Sequence, residues 1–450
     1  MPKPRMSGDK TTTKLRESAR LIWEAALTAA NPATCLRNFI QVRDGVLHVA
    51  GNNIPIRGRL IVIGTGKASA RMAQVVEEVL GGYITGGLVV TKYGHALPLD
   101  RIRVVEAGHP IPDARGVRAV HATRELLKGL SADDIVLCLI SGGGSALWPA
   151  PAEGITLEEK QETTQLLLRS GATIRELNGV RKHLSQIKGG QLARWASPAR
   201  VISLIMSDVI GDPIDFIASG PTAPDTTSFA DAMDITQKHG IHLPRPVLQR
   251  FERGARREIP ETPKPGDAVF ERVENHIIAN NRLLVDAAVD KARELKFNTL
   301  VLATEIEGEA KDVGACFAAI AREIGSSGNP INPPACVLGA GETTVTVRGN
   351  GLGGRNQEMA LAWAIAMAGR PSAAPACFAS VATDGSDGPT SAAGGLVDNL
   401  TCARAIERGL IPIQFLQAND SFNFLKATGD LIITGPTQTN LMDLQILLVG

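Results

Sequence analysis

The residues of this 450-residue chain best suited to chemistry sit in five short turns. Four of them end an apolar run: Gly64-Thr65-Gly66-Lys67, Ser141-Gly142-Gly143-Gly144-Ser145, Ser207-Asp208 and Thr383-Asp384-Gly385. The fifth, Gly353-Gly354-Arg355-Asn356, opens an alanine-rich stretch. Glycine in such turns lets the backbone approach a ligand and take angles that other residues resist. A strand, a glycine turn and a polar residue opening the next element make a natural seat for phosphate oxygens. One such turn alone is more often a structural bend, and it is the recurrence that points to a site. Together the five offer backbone donors, one lysine, one arginine and two carboxylates. Phosphoryl transfer needs that set, because it rests on positioning and on neutralising spread negative charge, commonly with Mg²⁺.

Each residue also has a plainer reading. Lys67 suits a point charge on phosphate or carboxylate; as a solvated lysine at a helix start it would oppose the helix dipole. Arg355 has the same oddity, and its planar fork suits a bidentate grip on an anion. Asp208 and Asp384 are candidate Mg²⁺ ligands or bases, and both are equally at home as turn or cap residues. The basic run Arg181-Lys182-His183-Leu184-Ser185, leading to Lys188-Gly189-Gly190, either holds nucleotide phosphates or forms a solvated face. His109, beside Pro110, is a candidate base, although a histidine without a visible partner is more often structural.

Spacing excludes several familiar motifs. Gly64-Thr65-Gly66-Lys67-Ala68-Ser69 carries two glycines of a dinucleotide fingerprint but Ser69 in place of the third, and the following strand ends at Thr91-Lys92 rather than at an acid. That lysine would tolerate a 2′-phosphate, so NADP is weakened rather than removed. Gly66-Lys67 lacks the upstream glycine and following Ser/Thr of a Walker A loop, and Ser145 lacks the closing glycine of a nucleophile elbow. No zincin or EF-hand spacing occurs.

Composition narrows the class. Hydrophobic residues make up 44%, and 47 basic residues against 46 acidic give a net charge of +1, which argues against a nucleic-acid face. Aromatics at 4% supply no stacking platforms for single strands. Six scattered cysteines form no Cys-x-x-Cys pair and suit a reducing cytoplasm. The basic N-terminus lacks the apolar core of a signal peptide, and no window of about 18 apolar residues suggests a membrane span.

These turns need strands and helices to carry them. Apolar runs at 59–63, 88–91, 103–107, 135–140 and 201–206 alternate with helical patterns, which predicts α/β architecture with a doubly wound parallel sheet. The alternation resumes at 276–279, 299–303, 335–338 and 377–382, with a further strand at 431–434. Thr343 to Arg348 alternates polar and apolar residues, which suits a strand with one wet face and hence a mixed sheet. A helix through Leu15, Leu21, Ile22, Ala25 and Leu27 is expected to end at Asn31-Pro32. The Arg/Glu/Pro/Gly-rich stretch after Arg253 reads as a linker. The expected organisation is a disordered N-terminus over 1–13, a first domain over 14–252, a linker over 253–270 and a second domain over 271–450.

Taken in order, Gly64-Thr65-Gly66-Lys67-Ala68, Gly108-His109-Pro110, Ser141-Gly142-Gly143-Gly144-Ser145-Ala146, Lys188-Gly189-Gly190, Ser207-Asp208-Val209, Ser219-Gly220-Pro221, Gly353-Gly354-Arg355-Asn356-Gln357-Glu358 and Thr383-Asp384-Gly385-Ser386-Asp387-Gly388 resemble the class II glycerate kinases, the MOFRL family. The likeness runs from about residue 14 to the C-terminus. Ile210-Gly211-Asp212-Pro213 and Gln438 depart from the family pattern, in loops outside the charged set. The resemblance implies two dissimilar three-layer α/β/α domains, the first Rossmann-like and the second built on a mixed sheet. It implies ATP and D-glycerate meeting in the cleft between them, Mg²⁺, and 2-phosphoglycerate as product. Lys67 and Arg355 would hold glycerate and the transferring phosphoryl, and Asp384 would act as base or metal ligand with Asp208 as a further ligand. Ser141, Gly142, Gly143, Gly144 and Ser145, with Lys188 and Gly189, would serve the nucleotide phosphates. The rival reading is an NAD(P)H-dependent hydroxypyruvate reductase, a name members of the family often carry. A cytoplasmic enzyme is expected, with a small-molecule substrate, no nucleic-acid or membrane partner, and a homodimer as an assembly open to it.

Overall fold

The computed structural model describes residues 7–450 apart from Pro371 and Ala373. The first six residues, half of the stretch expected to be frayed, lie outside the described residues. The chain divides into two compact units. The first is Pro32–Ala279, and the second joins Met1–Asn31 to Asn280–Gly450.

The first unit begins with a small antiparallel sheet of β1 (Ile40–Arg43), β2 (Val46–Val49) and β3 (Asn52–Pro55), turned at Asp44-Gly45. Its main sheet holds β4 (Leu60–Thr65), β5 (Gly86–Lys92), β6 (Ile102–Ala107), β7 (Ile135–Ile140), β8 (Arg200–Met206) and β9 (Val273–Ala279), in the order β6-β5-β4-β7-β8-β9 and parallel throughout. β4 and β7 are buried at every position, as their unbroken apolar sequences require of strands covered on both faces. The chain winds outward from β4 to β6, then returns to β7 and winds the other way. The strand order therefore reverses between β4 and β7, and open α/β sheets bind ligands outside the carboxyl ends at such a point.

The second unit carries β10 (Asn298–Ile306), β11 (Ala335–Gly341), β12 (Ala376–Ala382), β13 (Gly394–Asp398), β14 (Leu431–Ile432) and β15 (Asp443–Val449), in the order β10-β11-β15-β12-β13-β14. β10 and β11 are parallel, whereas β15 runs antiparallel to both of its neighbours. The sheet is thus mixed, as expected, but for a different reason. Thr343–Arg348 is no strand: Thr344 makes a single bridge to Glu309, Thr346 hydrogen-bonds the Glu309 carboxylate, and Val347 is 72% exposed. The antiparallel elements are β13, against β12 and β14, and the C-terminal DLQILLV segment, fully buried at the middle of the sheet.

Three of the expected boundaries are corrected. The helix Ser7–Ala29 already spans residues 7–13, and it belongs to the second unit rather than the first. It buries Leu15, Ala19, Ile22 and Ala26, spaced on one helical face, and packs on the helix Asn281–Glu294 and on β12 and β15. Arg16 reaches Asp398 and Asp430, each at 2.9 Å. The second domain does not begin at 271, because β9 pairs with β8 at the edge of the first sheet. Residues 253–270 are packed into the first unit instead of linking two bodies. Thr262 is buried and donates to Asp225 at 2.9 Å, and Glu261 accepts from His183 at 3.1 Å. Thr262 and Glu261 anchor the stretch on buried partners, while Arg253, Arg256 and Glu258, which give it its linker-like composition, stay exposed and pair with one another.

Candidate active site

At the reversal point of the first sheet, the turns after β4 and β7 are sewn together. The Lys67 amide donates to the Gly142 carbonyl at 2.8 Å, the Ser141 amide to Thr65 at 3.0 Å, and the Ala68 amide to Ser141 Oγ at 3.0 Å. Gly66 has φ +129° and leaves no room for a Cβ against Ser141, so glycine is required there. Gly143 has φ +82°, and a Cβ on it would stand 2.8 Å from His109 Nε2 and 3.4 Å from Lys67 Cγ. Lys67, His109 and the triple-glycine turn therefore share one spot, the turns of β4, β6 and β7 meeting there.

Lys188 approaches this loop from a helix start and is fully buried. Its Nζ donates to the carbonyl and the hydroxyl of Ser145, both at 2.8 Å. Ser145 Oγ lies 2.9 Å from Ser219 Oγ, which donates to Asn178 at 2.9 Å. Ala218 and Ser219 hold left-handed angles of +51° and +61°, a strained pair for residues with a Cβ. Lys188 thus braces the loop from beneath rather than standing on its surface. Gly189 is likewise committed, its amide donating to the Ser219 carbonyl at 3.0 Å. Asp208 follows the buried Ser207 at the carboxyl end of β8, beside the turn of β7. The solvated-face reading of the basic run is overturned: Lys182 and His183 are buried, Lys182 lying 3.1 Å from Asp215 and 3.3 Å from Asp225.

In the second unit, Asp443 opens β15 opposite Gly341 of β11 and Ala382 of β12, level with the carboxyl ends of both. Arg355 grips this buried carboxylate with two prongs, Nε to Oδ2 at 2.5 Å and Nη2 to Oδ1 at 3.0 Å. Its Nη1 lies 2.9 Å from Glu342. Burial works against the guanidinium charge, but Asp443 and Glu342 outweigh it and hold Arg355 firmly protonated. The bidentate grip read from the sequence exists, therefore, with a protein carboxylate as its partner. Asp387 explains how a cation tolerates this helix start. One of its oxygens accepts from the amide and side chain of Asn356, the other from the amide and side chain of Gln357. Burial, with Asp443 nearby, pushes the Asp387 carboxyl up to about 6 against those four donors. Asp384, after β12, accepts from the Ser386 amide at 3.0 Å, a turn role that leaves its carboxylate at the same edge as Asp443.

Asp443 and Asp387 are residues that sequence reasoning missed as site members. The acid in Asp384-Gly385-Ser386-Asp387 was visible, but Asp443 lies 88 positions from Arg355 and only the sheet joins them. Among the described residues no three His, Cys, Asp or Glu side chains group to hold a metal ion. No described helix is long and apolar enough to cross a membrane.

A parallel sheet with cationic glycine turns at its reversal point, and a mixed sheet with an arginine-acid cluster, define a two-unit α/β enzyme of the phosphate-handling kind. Comparison with known proteins makes this specific. Residues 18–252 match a family described as "Domain of unknown function (DUF4147)", and residues 335–443 match the MOFRL family. The chain is 45% identical to the D-glycerate 2-kinase of Thermotoga maritima over 87% of its own length and 91% of the relative's. It is 42% identical to the glycerate 2-kinase of Pyrococcus horikoshii, with 96% of each chain covered. An Agrobacterium vitis relative, 41% identical over 97% of this chain and 94% of its own, is provisionally named as a hydroxypyruvate reductase. The crystal structure of a glycerate kinase from Thermotoga maritima matches 97% of this chain and all of that one, with a TM-score of 0.86 and 41% identity. The chain belongs to the MOFRL family, the class II glycerate kinases.

Proposed function

We propose that the protein transfers the γ-phosphoryl group of ATP to the 2-hydroxyl of D-glycerate, releasing ADP and 2-phospho-D-glycerate. The observation that carries this reading is the Lys67–His109–Gly143 cluster at the reversal point of the first sheet. It gathers a cation and a glycine turn where a phosphate ligand is expected. The glycerate kinase names of the relatives supply the acceptor, and the Thermotoga and Pyrococcus names the position. The glycerate hydroxyl attacks the γ-phosphorus, the bond to the β,γ-bridging oxygen breaks, and the hydroxyl proton passes to a carboxylate, which we assign to Asp384. Lys67 neutralises charge spreading over the phosphoryl oxygens. The 141–145 turn would seat the nucleotide phosphates, its Ser141 and Gly144 amides being already committed to the Thr65 and Ser141 carbonyls. Arg355 is held by Asp443 on one edge, so a substrate carboxylate would meet its Nη1, in place of the half-exposed Glu342.

Mg²⁺ commonly arrives on substrate phosphates and takes only one or two protein carboxylates. Asp208 is the carboxylate we assign to it, Asp384 being kept for the proton, and the charge it supplies would neutralise the triphosphate. Phosphorus NMR of the products from D-glycerate and Mg-ATP tests reaction and position together. A 2-phosphoglycerate signal is expected; a 3-phosphoglycerate signal corrects the position, and unchanged ATP removes the proposal. Lys67→Met should lower kcat/KM by about 10²–10³-fold. The reductase reading rests on the Agrobacterium name alone, and steady oxidation of NADPH by hydroxypyruvate would restore it.

A further inference from the structure

The helices Leu157–Arg169 and Ile174–His183 wall a cavity of about 420 Å³ that opens beside Gly143 and Ser145. Lys160, Gln161, Thr164, Gln165 and Leu168 line it from one face of the first helix, and Leu177 and Arg181, one turn apart, from the second. Most of its wall is aliphatic, yet two cations are set into it. Lys160 is 5% exposed and its ammonium donates to the Pro149 carbonyl. Arg181 Nε is buried with no hydrogen-bond partner. Lys188, which braces the glycine loop, is a third basic group beside them, and burial together with the neighbouring Arg181 presses both lysine ammoniums toward neutrality. Among the described residues no carboxylate forms an ion pair with any of the three.

Uncompensated buried charge is among the costliest things a fold can hold, and the nearby acids are spent elsewhere: Asp225 and Asp215 on Lys182, Glu261 on His183. A bound anion would pair Arg181 and restore the charge that burial presses out of Lys160 and Lys188. A three-carbon acid would leave most of the cavity as water against leucine and isoleucine. A flat ring on the aliphatic wall with an anionic tail uses the whole of it. We infer that this cavity seats the adenine nucleotide, its phosphate oxygens on Lys160 and Arg181 and its base against Leu157, Leu168 and Leu177, leading the chain of phosphates onto the 141–145 turn. The inference rests on the kinase reading; it keeps the 141–145 turn for the phosphates, adds Lys160 and an aliphatic wall for the base, and leaves out Gly189, whose amide is committed to Ser219.

Titration calorimetry with Mg-ADP and separately with D-glycerate tests it on the full-length protein. Arg181→Met and Lys160→Met should weaken ADP by about 10- to 100-fold, the range for losing a hydrogen bond to a charged group, and leave glycerate affinity unchanged. Because each removes a buried basic group with no carboxylate partner, the ligand-free melting temperature should hold or rise, an outcome a merely structural lysine or arginine would not give. Leu168→Trp changes no charge at a 61% exposed position, so it should fold and yet exclude ADP by filling the cavity. Unchanged ADP affinity in all three variants overturns the assignment, as does a loss confined to glycerate. Failure of the wild-type protein to bind ADP would instead overturn the kinase reading itself.

Discussion

Arg355 shows how a single residue can be rightly noticed and wrongly partnered. Its place at a helix start marks it as unusual, because a cation there opposes the amide dipoles. The structure resolves the conflict with Asp387 on the first amides and Asp443 on the fork. Removing the fork therefore has two separable consequences. Arg355→Ala leaves Asp443 fully buried with no cation and should cost about 2–4 kcal/mol, the low side of the range for a broken buried pair because Arg355 is 31% exposed. Arg355→Lys keeps the charge, loses one prong, and should cost about 1 kcal/mol. Measuring urea unfolding and kcat on the same samples separates the roles. If Arg355 only secures Asp443, the folded fraction of Arg355→Lys keeps its kcat; a fall of tenfold or more at similar stability places the guanidinium against substrate. Lys67 and the triple glycine were legible as single residues because their local surroundings contradict their chemistry. Lys160 was not, since an isolated lysine in a helix reads as solvated until tertiary packing closes over it.

At the level of elements, the glycine turns were legible and their stitching was not. A turn after a buried strand announces itself through the abrupt switch from apolar run to glycine. What it touches depends on which strand lies alongside, and that β4 and β7 are neighbours is a fact of the sheet. Gly143→Ala tests the stitching. The new methyl meets the His109 ring at a backbone angle of +82°, so His109 or the loop must move. Activity should fall on the order of 10²-fold, the effect of about 1 Å of misplacement, with only about 1 kcal/mol of stability lost. An active Gly143→Ala protein would detach the loop from the reaction. The opposite end of the same strands carries a purely structural tie. Asp134 is buried and accepts from the Arg59 amide at 2.5 Å and the Ser131 amide at 2.6 Å. Burial alone would raise its carboxyl, but those donors prevail and hold it at about 2, below the ordinary 3.8. The stability it supplies is present above pH 3.8 and is lost as pH falls toward 2. Thermal unfolding between pH 5 and pH 2 should decline less steeply in Asp134→Asn, whose melting temperature starts lower. The two strand errors share a cause. TTVTVR alternates well yet has no partner strand, whereas DLQILLV carries a buried acid and a buried glutamine that spoil its apolar pattern and still takes the centre of the sheet.

For the whole molecule, the class of the two sheets was readable, because alternation of apolar strands and helices survives in the sequence; their strand orders were not, β9 falling in the first sheet and the unread β15 at the centre of the second. The division was not, because it depends on where the first helix docks. Nothing in its face of Leu15, Ala19, Ile22 and Ala26 says that it covers β12 and β15, more than 300 residues away, rather than the sheet that follows it. The dock is fixed by that face, by Arg16 on Asp398 and Asp430, and by the Thr439 hydroxyl on the Ala30 carbonyl at 2.8 Å. The first unit is contiguous in sequence, and the second is closed only when the N-terminal segment returns to it. A fragment of residues 32–279 should therefore unfold cooperatively on its own. A fragment of residues 280–450 should bind a hydrophobic dye and give a poorly dispersed amide spectrum, since one face of β12 and β15 would be uncovered. Adding a peptide of residues 1–31 should restore dispersion and suppress dye binding, with Arg16→Ala in the peptide weakening the rescue. Charge and apolar face act together in this dock: Asp398 and Asp430 keep Arg404 as a second cation, so the arginine change alone should weaken the rescue without abolishing it. A 280–450 fragment that is well dispersed without the peptide would show that the helix decorates the second unit instead of completing it.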